Sequence, residues 1–383
     1  MGKTALLVYG TRPEAIKMAP LIPSLRAVGI EPIVAVTGQH REMLDQVNEL
    51  FAIVPAYDLD ISKPRQTLAH ITATVVDRLS AILESARPDV IIVQGDTSST
   101  FAGGLAAFYQ QIPVVHVEAG LRTGKRYSPF PEEINRRLTT QVASLHLAPT
   151  RMNAENLLAE QIPVEDIAVT GNTVIDSLLE ISAREVNQED ERVAQAIASG
   201  RRIVLMTTHR RESLGARMQE SMSALRKLAD QWADDLFVLP LHRNPAVREV
   251  VEPAFAGADN VILTEPLEYS QFASLLRASH LVITDSGGVQ EEAPGLGKPV
   301  LVMRDDTERP EAVHAGTVKL VGTDGARIFE EASRLLCDES AYAEMSNAVN
   351  PYGDGAAGAR SAAAIAQMLG VGTRLPDFDP TMP

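Results

Sequence analysis

Two segments far apart in the chain carry residue types that bind phosphate, each directly after a short apolar run. Gly10-Thr11-Arg12-Pro13-Glu14-Ala15-Ile16-Lys17 follows Ala5 to Tyr9, and Thr284-Asp285-Ser286-Gly287-Gly288-Val289-Gln290-Glu291-Glu292 follows Leu281 to Ile283. In both, a strand passes through Gly, Ser or Thr into a helix whose free N–H groups and positive dipole end attract an anion. Gly287 and Gly288 have no side chain to obstruct a diphosphate, and Glu291 and Glu292 then sit within reach of ribose hydroxyls. The competing reading makes Ser286 a simple helix cap whose two acids complement the dipole. Arg12 offers a bidentate fork and Lys17 a point charge, which suit a diphosphate; a surface pair of Glu14 with Lys17 is the alternative. Together the two cradles point to one phosphate group held by both halves of the chain, and so to a nucleotide-bearing substrate.

A second set of residues could move protons. Asp96, in Gln94-Gly95-Asp96-Thr97, follows the apolar run Val90 to Val93, where a carboxylate can serve a ligand or cap a helix. Glu118 lies in His116-Val117-Glu118-Ala119-Gly120-Leu121-Arg122, and Glu132 and Glu133 follow Phe130-Pro131. On the residues alone, a loop acid and a catalytic acid fit Glu118 equally, while first-turn helix acids are the stronger reading of Glu132 and Glu133. His209 ends the run Ile203 to Met206 beside Arg210 and Arg211, where an imidazole can shuttle a proton or donate a hydrogen bond. The eight histidines show no His-x-x-x-His spacing and there is no cysteine pair, so no metal is expected. Gly353-Asp354-Gly355-Ala356-Ala357-Gly358 matches a dinucleotide fingerprint formally, but it follows Asn350-Pro351-Tyr352 rather than a strand. It reads as a flexible turn into a last Ala-rich helix, and no cofactor is expected.

These residues need a frame that gathers strand ends. Apolar runs alternate with helical patterns along the whole chain, which predicts an α/β fold of parallel sheets covered by helices. Predicted strands in the first half are 5–9, 32–36, 90–93, 114–117, 145–147 and 167–169; the pattern restarts with 203–206, 236–239, 261–263, 281–283, 300–303 and 318–321. Two doubly wound halves fit, joined near Gly171-Asn172-Thr173, with the charged segment Glu185 to Arg192 expected in solvent. At 383 residues the chain exceeds what one core usually supports, which also favours two domains. In open parallel sheets ligands collect beyond the carboxyl ends of strands, where most of these residues fall. A net charge of −15 provides no basic field for nucleic acid or an anionic membrane. The lone Cys337 suits a reducing compartment, the N-terminal apolar run is short for a signal peptide, and no run approaches the ~20 residues of a membrane span. A cytoplasmic protein is expected.

Taken together, the motifs resemble those of the non-hydrolysing UDP-N-acetylglucosamine 2-epimerases. The resemblance rests on residues 10–17, Gln39 to Gln46, Gly95-Asp96-Thr97, His116 to Thr123, Tyr127 to Glu133, Gly171-Asn172-Thr173, His209-Arg210-Arg211-Glu212, Thr284 to Pro294, Arg309-Pro310-Glu311 and Asn350 to Gly355. It implies two Rossmann-like domains, 1–170 and 171–357, facing a central cleft as in B-type glycosyltransferases. A final helix, about 358–375, would pack back on the first domain, and the protein would be a homodimer. It also implies that Arg12, Lys17, Leu267, Ser286, Gly287 and Gly288 bind UDP, with Glu292 on the ribose, Phe272 near the uracil and Arg309 toward the sugar. Asp96, Glu118, Glu132 and His209 match the residues assigned to chemistry, and Gln39, Arg65 and His242 match a second UDP-sugar site in family members that acts as an activator. The family reaction expels UDP from C1 to acidify C2–H, forms 2-acetamidoglucal, and reprotonates C2 on the other face before UDP returns. Gln94 stands where relatives frequently have His, Val115 where Gly is frequent, and Thr207-Thr208 where many have Gly or Ala before the histidine. A UDP-sugar glycosyltransferase or a hydrolysing epimerase is the alternative.

Overall fold

The computed structural model describes residues 2–38, 41–63, 66–209 and 214–381, apart from the side chain of Glu42. The chain forms two units, Met1–Ser177 with Tyr352–Pro383, and Leu178–Pro351. Joins are expected at 170/171 and 357/358; the first crossing lies inside the helix Thr173–Ser182 and the second between Pro351 and Tyr352.

In the first unit seven parallel strands are ordered β3-β2-β1-β4-β5-β6-β7. They are β1 Lys3–Tyr9, β2 Ile30–Val36, β3 Tyr57–Asp58, β4 Val90–Gln94, β5 Val114–Val117, β6 Leu145–Ala148 and β7 Ile167–Val169. The second unit has six parallel strands ordered β10-β9-β8-β11-β12-β13. These are β8 Ile203–Thr207, β9 Leu236–Pro240, β10 Val261–Thr264, β11 Leu281–Thr284, β12 Val300–Val302 and β13 Val318–Leu320. Each order reverses beside its first strand, the mark of a doubly wound sheet. Every predicted strand is present within a residue or two. Among the described residues only β3 is unpredicted, because two residues carry no periodic signal.

Central strands read as unbroken Val/Ile/Leu runs because helices cover both faces; all of β4 is buried. The helix Leu68–Ala86 shows how a cover forms. Thr67 caps it by accepting from His70 N (3.2 Å), and Ile71, Val75, Leu79 and Leu83 repeat every four residues along its buried face. Burying each such side chain contributes about 1.5–3 kcal/mol. Arg87 ends the helix in the left-handed region at φ 41°, returning its N–H to the Leu83 carbonyl.

The C-terminal helix, Ala357–Met368, belongs to the first unit. Asp176 caps its start, accepting from Gly358 N (2.7 Å) and Ala357 N (3.2 Å). The fingerprint-like stretch before it is tied down rather than flexible: Asp354 accepts from Ala356 N and takes a two-point ion pair with Arg360 at 2.8 and 2.6 Å. The helix stops at Met368, short of the expected 375, and the chain beyond it passes through Gly370 at φ 70°. The tail then docks on β7, where Phe378 N donates to the Val169 carbonyl at 2.7 Å and the ring is buried. Glu185 to Arg192 is largely exposed as expected, but Gln188 is buried and donates to the Gln271 carbonyl (3.2 Å). Among the described residues no helix is long and apolar enough to cross a membrane.

Candidate active site

In the first unit the turn after β1 is organised by Glu14. Its carboxylate is buried and accepts from Gly10 N (2.7 Å), Thr11 N (2.8 Å), Thr97 Oγ1 (2.5 Å) and Thr100 Oγ1 (3.0 Å). Burial pushes the Glu14 carboxyl above its ordinary range, against the pull of those bonds. Glu14 is therefore no surface partner for Lys17. Lys17 forms an ion pair with Glu118. Arg12, the first residue of the helix Arg12–Met18, is exposed.

Glu118 sits just past β5 in the left-handed region (φ 63°), an uncommon conformation for a non-glycine residue. Its side chain is almost fully buried and held from three directions, by Lys17 Nζ, Gln94 Nε2 and, at 3.1 Å, Asn172 Nδ2. Gly120 completes the turn: at φ 89°, a Cβ there would lie 2.2 Å from the Asn153 carbonyl oxygen, which only glycine avoids. Gln94 and Asn172 were not picked out as site residues, yet both hold Glu118. The clue was present, since both flank strand ends and Gln94 departs from the family pattern.

Asp96 does not cap the next helix; Thr97 does, accepting from Thr100 N at 3.1 Å. This leaves Asp96, about a quarter exposed, to pair with Arg136. Its carbonyl accepts from Asn135 Nδ2 (2.9 Å), and the carbonyl of Gly95 accepts from His116 Nε2 (2.7 Å). The adjacent acids Glu132 and Glu133 part company. Glu133 is fully buried; although burial opposes it, the Thr123 N–H (3.0 Å), Arg137 Nε (3.1 Å) and Arg136 hold it below the usual range. Glu132 is pushed up by burial and by the nearby charge of Asp96, against the pull of its own N–H and of Arg136. Two neighbouring carboxyls driven apart in this way are suited to different roles.

Behind these acids lie His116 and His146, partners in register on β5 and β6. Burial holds them down to about 4 and about 3. Both stay neutral in the folded protein while an unfolded chain takes up protons below about pH 6.5, so the stability they confer is complete above that pH and lost as pH falls toward their folded values. His146→Leu is accordingly expected to flatten the acid loss of stability between about pH 6 and 4 by up to ~1.4 kcal/mol per pH unit. Urea unfolding of both proteins over that range checks it, and equal slopes would contradict it.

In the second unit, His209 follows β8 and Asp285 follows β11, adjacent strands paired at Thr207 and Thr284. Asp285 is buried and accepts from Thr208 Oγ1 (2.9 Å) and from His209 N (3.1 and 3.0 Å), and it lies 3.1 Å from His209 Nδ1. The His209 ring stacks on His242 with centroids 6.0 Å apart. His242 Nδ1 accepts from Asn244 N (3.1 Å), and burial, then the neighbouring His209, hold its pKa down. Asp285 was read only as part of a phosphate cradle; its pairing with His209 depends on a strand order that sequence does not give.

Ser286 does not cap the helix Val289–Gly295, whose cap position is Gly288. Ser286 N donates to Thr284 Oγ1 (2.9 Å) and its carbonyl accepts from Gln290 Nε2 (3.1 Å), which fixes the turn through the buried Gly287 to the exposed Gly288. Glu292 is buried in the first helical turn, and Glu291 binds Arg309 Nε (2.5 Å). Leu267 lines a pocket of about 670 Å³ with Arg192, Leu241, Arg248, Glu265 and Gln271. Phe272 is half-buried on the helix Tyr269–Ala278, and the Tyr269 hydroxyl is buried with no hydrogen-bond partner among the described residues. Gln39, Arg65, Arg210, Arg211 and Glu212 lie outside the described residues.

The family model "UDP-N-acetylglucosamine 2-epimerase" matches residues 24–366. The chain belongs to that family. It is 53% identical to UDP-N-acetylglucosamine 2-epimerase of Escherichia coli K12 over 361 residues, covering 93% of this chain and 96% of that one. Among solved structures it resembles the UDP-GlcNAc 2-epimerase of Neisseria meningitidis bound to UDP-GlcNAc, with a TM-score of 0.85, 47% identity and coverage of 96% and 99%. The glycosyltransferase SnogD of Streptomyces nogalater, at 18% identity and a TM-score of 0.64 over 96% and 99% of the two chains, shares the fold alone. The two-sheet architecture of this epimerase family is thus also that of a B-type glycosyltransferase.

Proposed function

We propose that the protein interconverts UDP-N-acetylglucosamine and UDP-N-acetylmannosamine without hydrolysing either. The observation that carries this reading is the trio Asp96, Glu118 and Glu132, one paired with an arginine, one clasped by three donors and one with a raised pKa, grouped around the ends of β4 and β5. A reaction that takes a proton from one face of C2 and returns one to the other needs carboxyls in unlike states.

C2–H is not acidic in the intact sugar, because C1 is an acetal carbon rather than a carbonyl. Breaking the C1–O bond sends its electron pair to the diphosphate and gives C1 cationic character. C2–H is then acidic enough for a carboxylate to remove, which leaves 2-acetamidoglucal and UDP. Protonation of C2 from the opposite face and return of the diphosphate oxygen to C1 give the epimer, with all atoms conserved. Arg12 and the Ser286-Gly287-Gly288 turn are assigned to the diphosphate, Glu292 to the ribose and Leu267 and Phe272 to the base side, with Arg309 toward the sugar. The orphan hydroxyl of Tyr269, within electrostatic reach of Glu292, supports a polar ligand there. In the same reading the enzyme is a cytoplasmic homodimer.

Incubation with UDP-N-acetylglucosamine alone, followed by NMR, tests the proposal. UDP-N-acetylmannosamine with no free sugar is expected. Free N-acetylmannosamine would make the enzyme hydrolysing, and turnover only with an added acceptor would make it a glycosyltransferase.

A further inference from the structure

The function above needs groups that take up and return a proton, and His209 is the candidate in the second unit. An imidazole does this only if the correct nitrogen carries the proton, and the tautomer is set by what the other nitrogen meets. We propose that Asp285 is a positioning residue that fixes His209 as the Nδ1–H tautomer and leaves Nε2 as the nitrogen that serves the substrate; the catalytic part of this rests on the epimerase reading, the tautomer does not.

Among the described residues, four contacts converge on one carboxylate. Oδ2 accepts from Thr208 Oγ1 (2.9 Å) and His209 N (3.0 Å), and Oδ1 lies 3.1 Å from both His209 N and His209 Nδ1. Asp285 is 1% exposed, while the His209 side chain is 40% exposed. The ring is therefore anchored on a buried carboxylate, while part of the side chain stays exposed. A carboxylate only accepts, so the nitrogen beside it must carry hydrogen, and Nε2 is left to accept a proton or, once the ring is charged, to donate one. Anchoring the His209 backbone N–H with the same group ties ring and chain to one point at the end of β11. The neighbouring His242 has the opposite arrangement: its Nδ1 accepts from Asn244 N, so its Nε2 carries hydrogen. Two stacked rings thus hold different tautomers, each fixed by its own partner.

Asp285→Asn separates the roles. With the amide oxygen at the Oδ2 position, the bonds from Thr208 and the His209 backbone persist and the fold is kept. The amide NH₂ then meets Nδ1, which must accept, and the ring flips to the Nε2–H tautomer. In protein labelled with ¹⁵N-histidine, with His209→Gln to assign the signal, the native His209 is expected as Nδ1–H and that of Asp285→Asn as Nε2–H. Turnover of Asp285→Asn is expected to fall about 10²-fold or more, with UDP affinity and the thermal midpoint close to native. A native His209 protonated at Nε2, or native turnover in Asp285→Asn, would overturn the proposal. If the native protein fails to epimerise at all, the epimerase reading falls, while the NMR arm still decides the tautomer.

Discussion

Glu118→Gln is expected to lower turnover by about 10²–10⁴-fold while UDP affinity stays within about threefold. The substitution is isosteric, so the fold has little reason to change. With the amide oxygen toward Lys17 and Asn172, the new NH₂ meets Gln94, whose own amide can turn to present its oxygen. The lost property is the negative charge, and with it the capacity to take or return a proton. Lys17 is then left beside a neutral amide, which removes the charge pairing that the native protein maintains. Steady-state turnover by NMR and calorimetric titration with UDP check this. Turnover within about threefold of native would remove Glu118 from the chemistry.

The second large effect is that of Asp96→Asn, which is expected to cut turnover by about 10²–10⁴-fold and also to move a limb of the pH profile to lower pH. The sign follows from the surroundings of Glu132. Its pKa is raised by burial and by Asp96, and held down in part by its own N–H and by Arg136. Removing the negative neighbour eases ionisation of Glu132, and Arg136, freed from Asp96, attracts the new charge more strongly. Whether Glu132 works as acid or base, the limb it controls moves down. Residual kcat/KM measured against pH checks the direction. An unmoved limb, or one displaced upward, would show that the two carboxyls do not act on the same chemistry.

The sheets were legible because strands covered on both faces appear as pure Val/Ile/Leu runs, and β4 is one of these. Asp96 and Glu118 were legible because they stand directly after such strands. What each carboxyl pairs with was not, since the partners come from distant strands and helices. Lys17 reads as a phosphate ligand on residue type, and its pairing with Glu118 becomes visible only once the strands are placed side by side. Glu132 and Glu133 are identical in composition, and the helical rotation that buries one and leaves the other part-exposed separates them. Asp285 was hidden for a further reason. It sits inside a segment already explained as a phosphate turn, and its bond to His209 needs β8 and β11 side by side. The tail after Met368 carried too little periodicity to show that Gly370 ends the helix and that Phe378 closes over β7.

The central claim is that C2 loses its hydrogen to the protein while UDP is off the sugar. The most direct measurement is epimerisation of UDP-N-acetylglucosamine in D₂O, with C2 followed by NMR. Deuterium at C2 is expected in the manno product and, at equilibrium, in both epimers. Inversion with the original hydrogen still on C2 would contradict it.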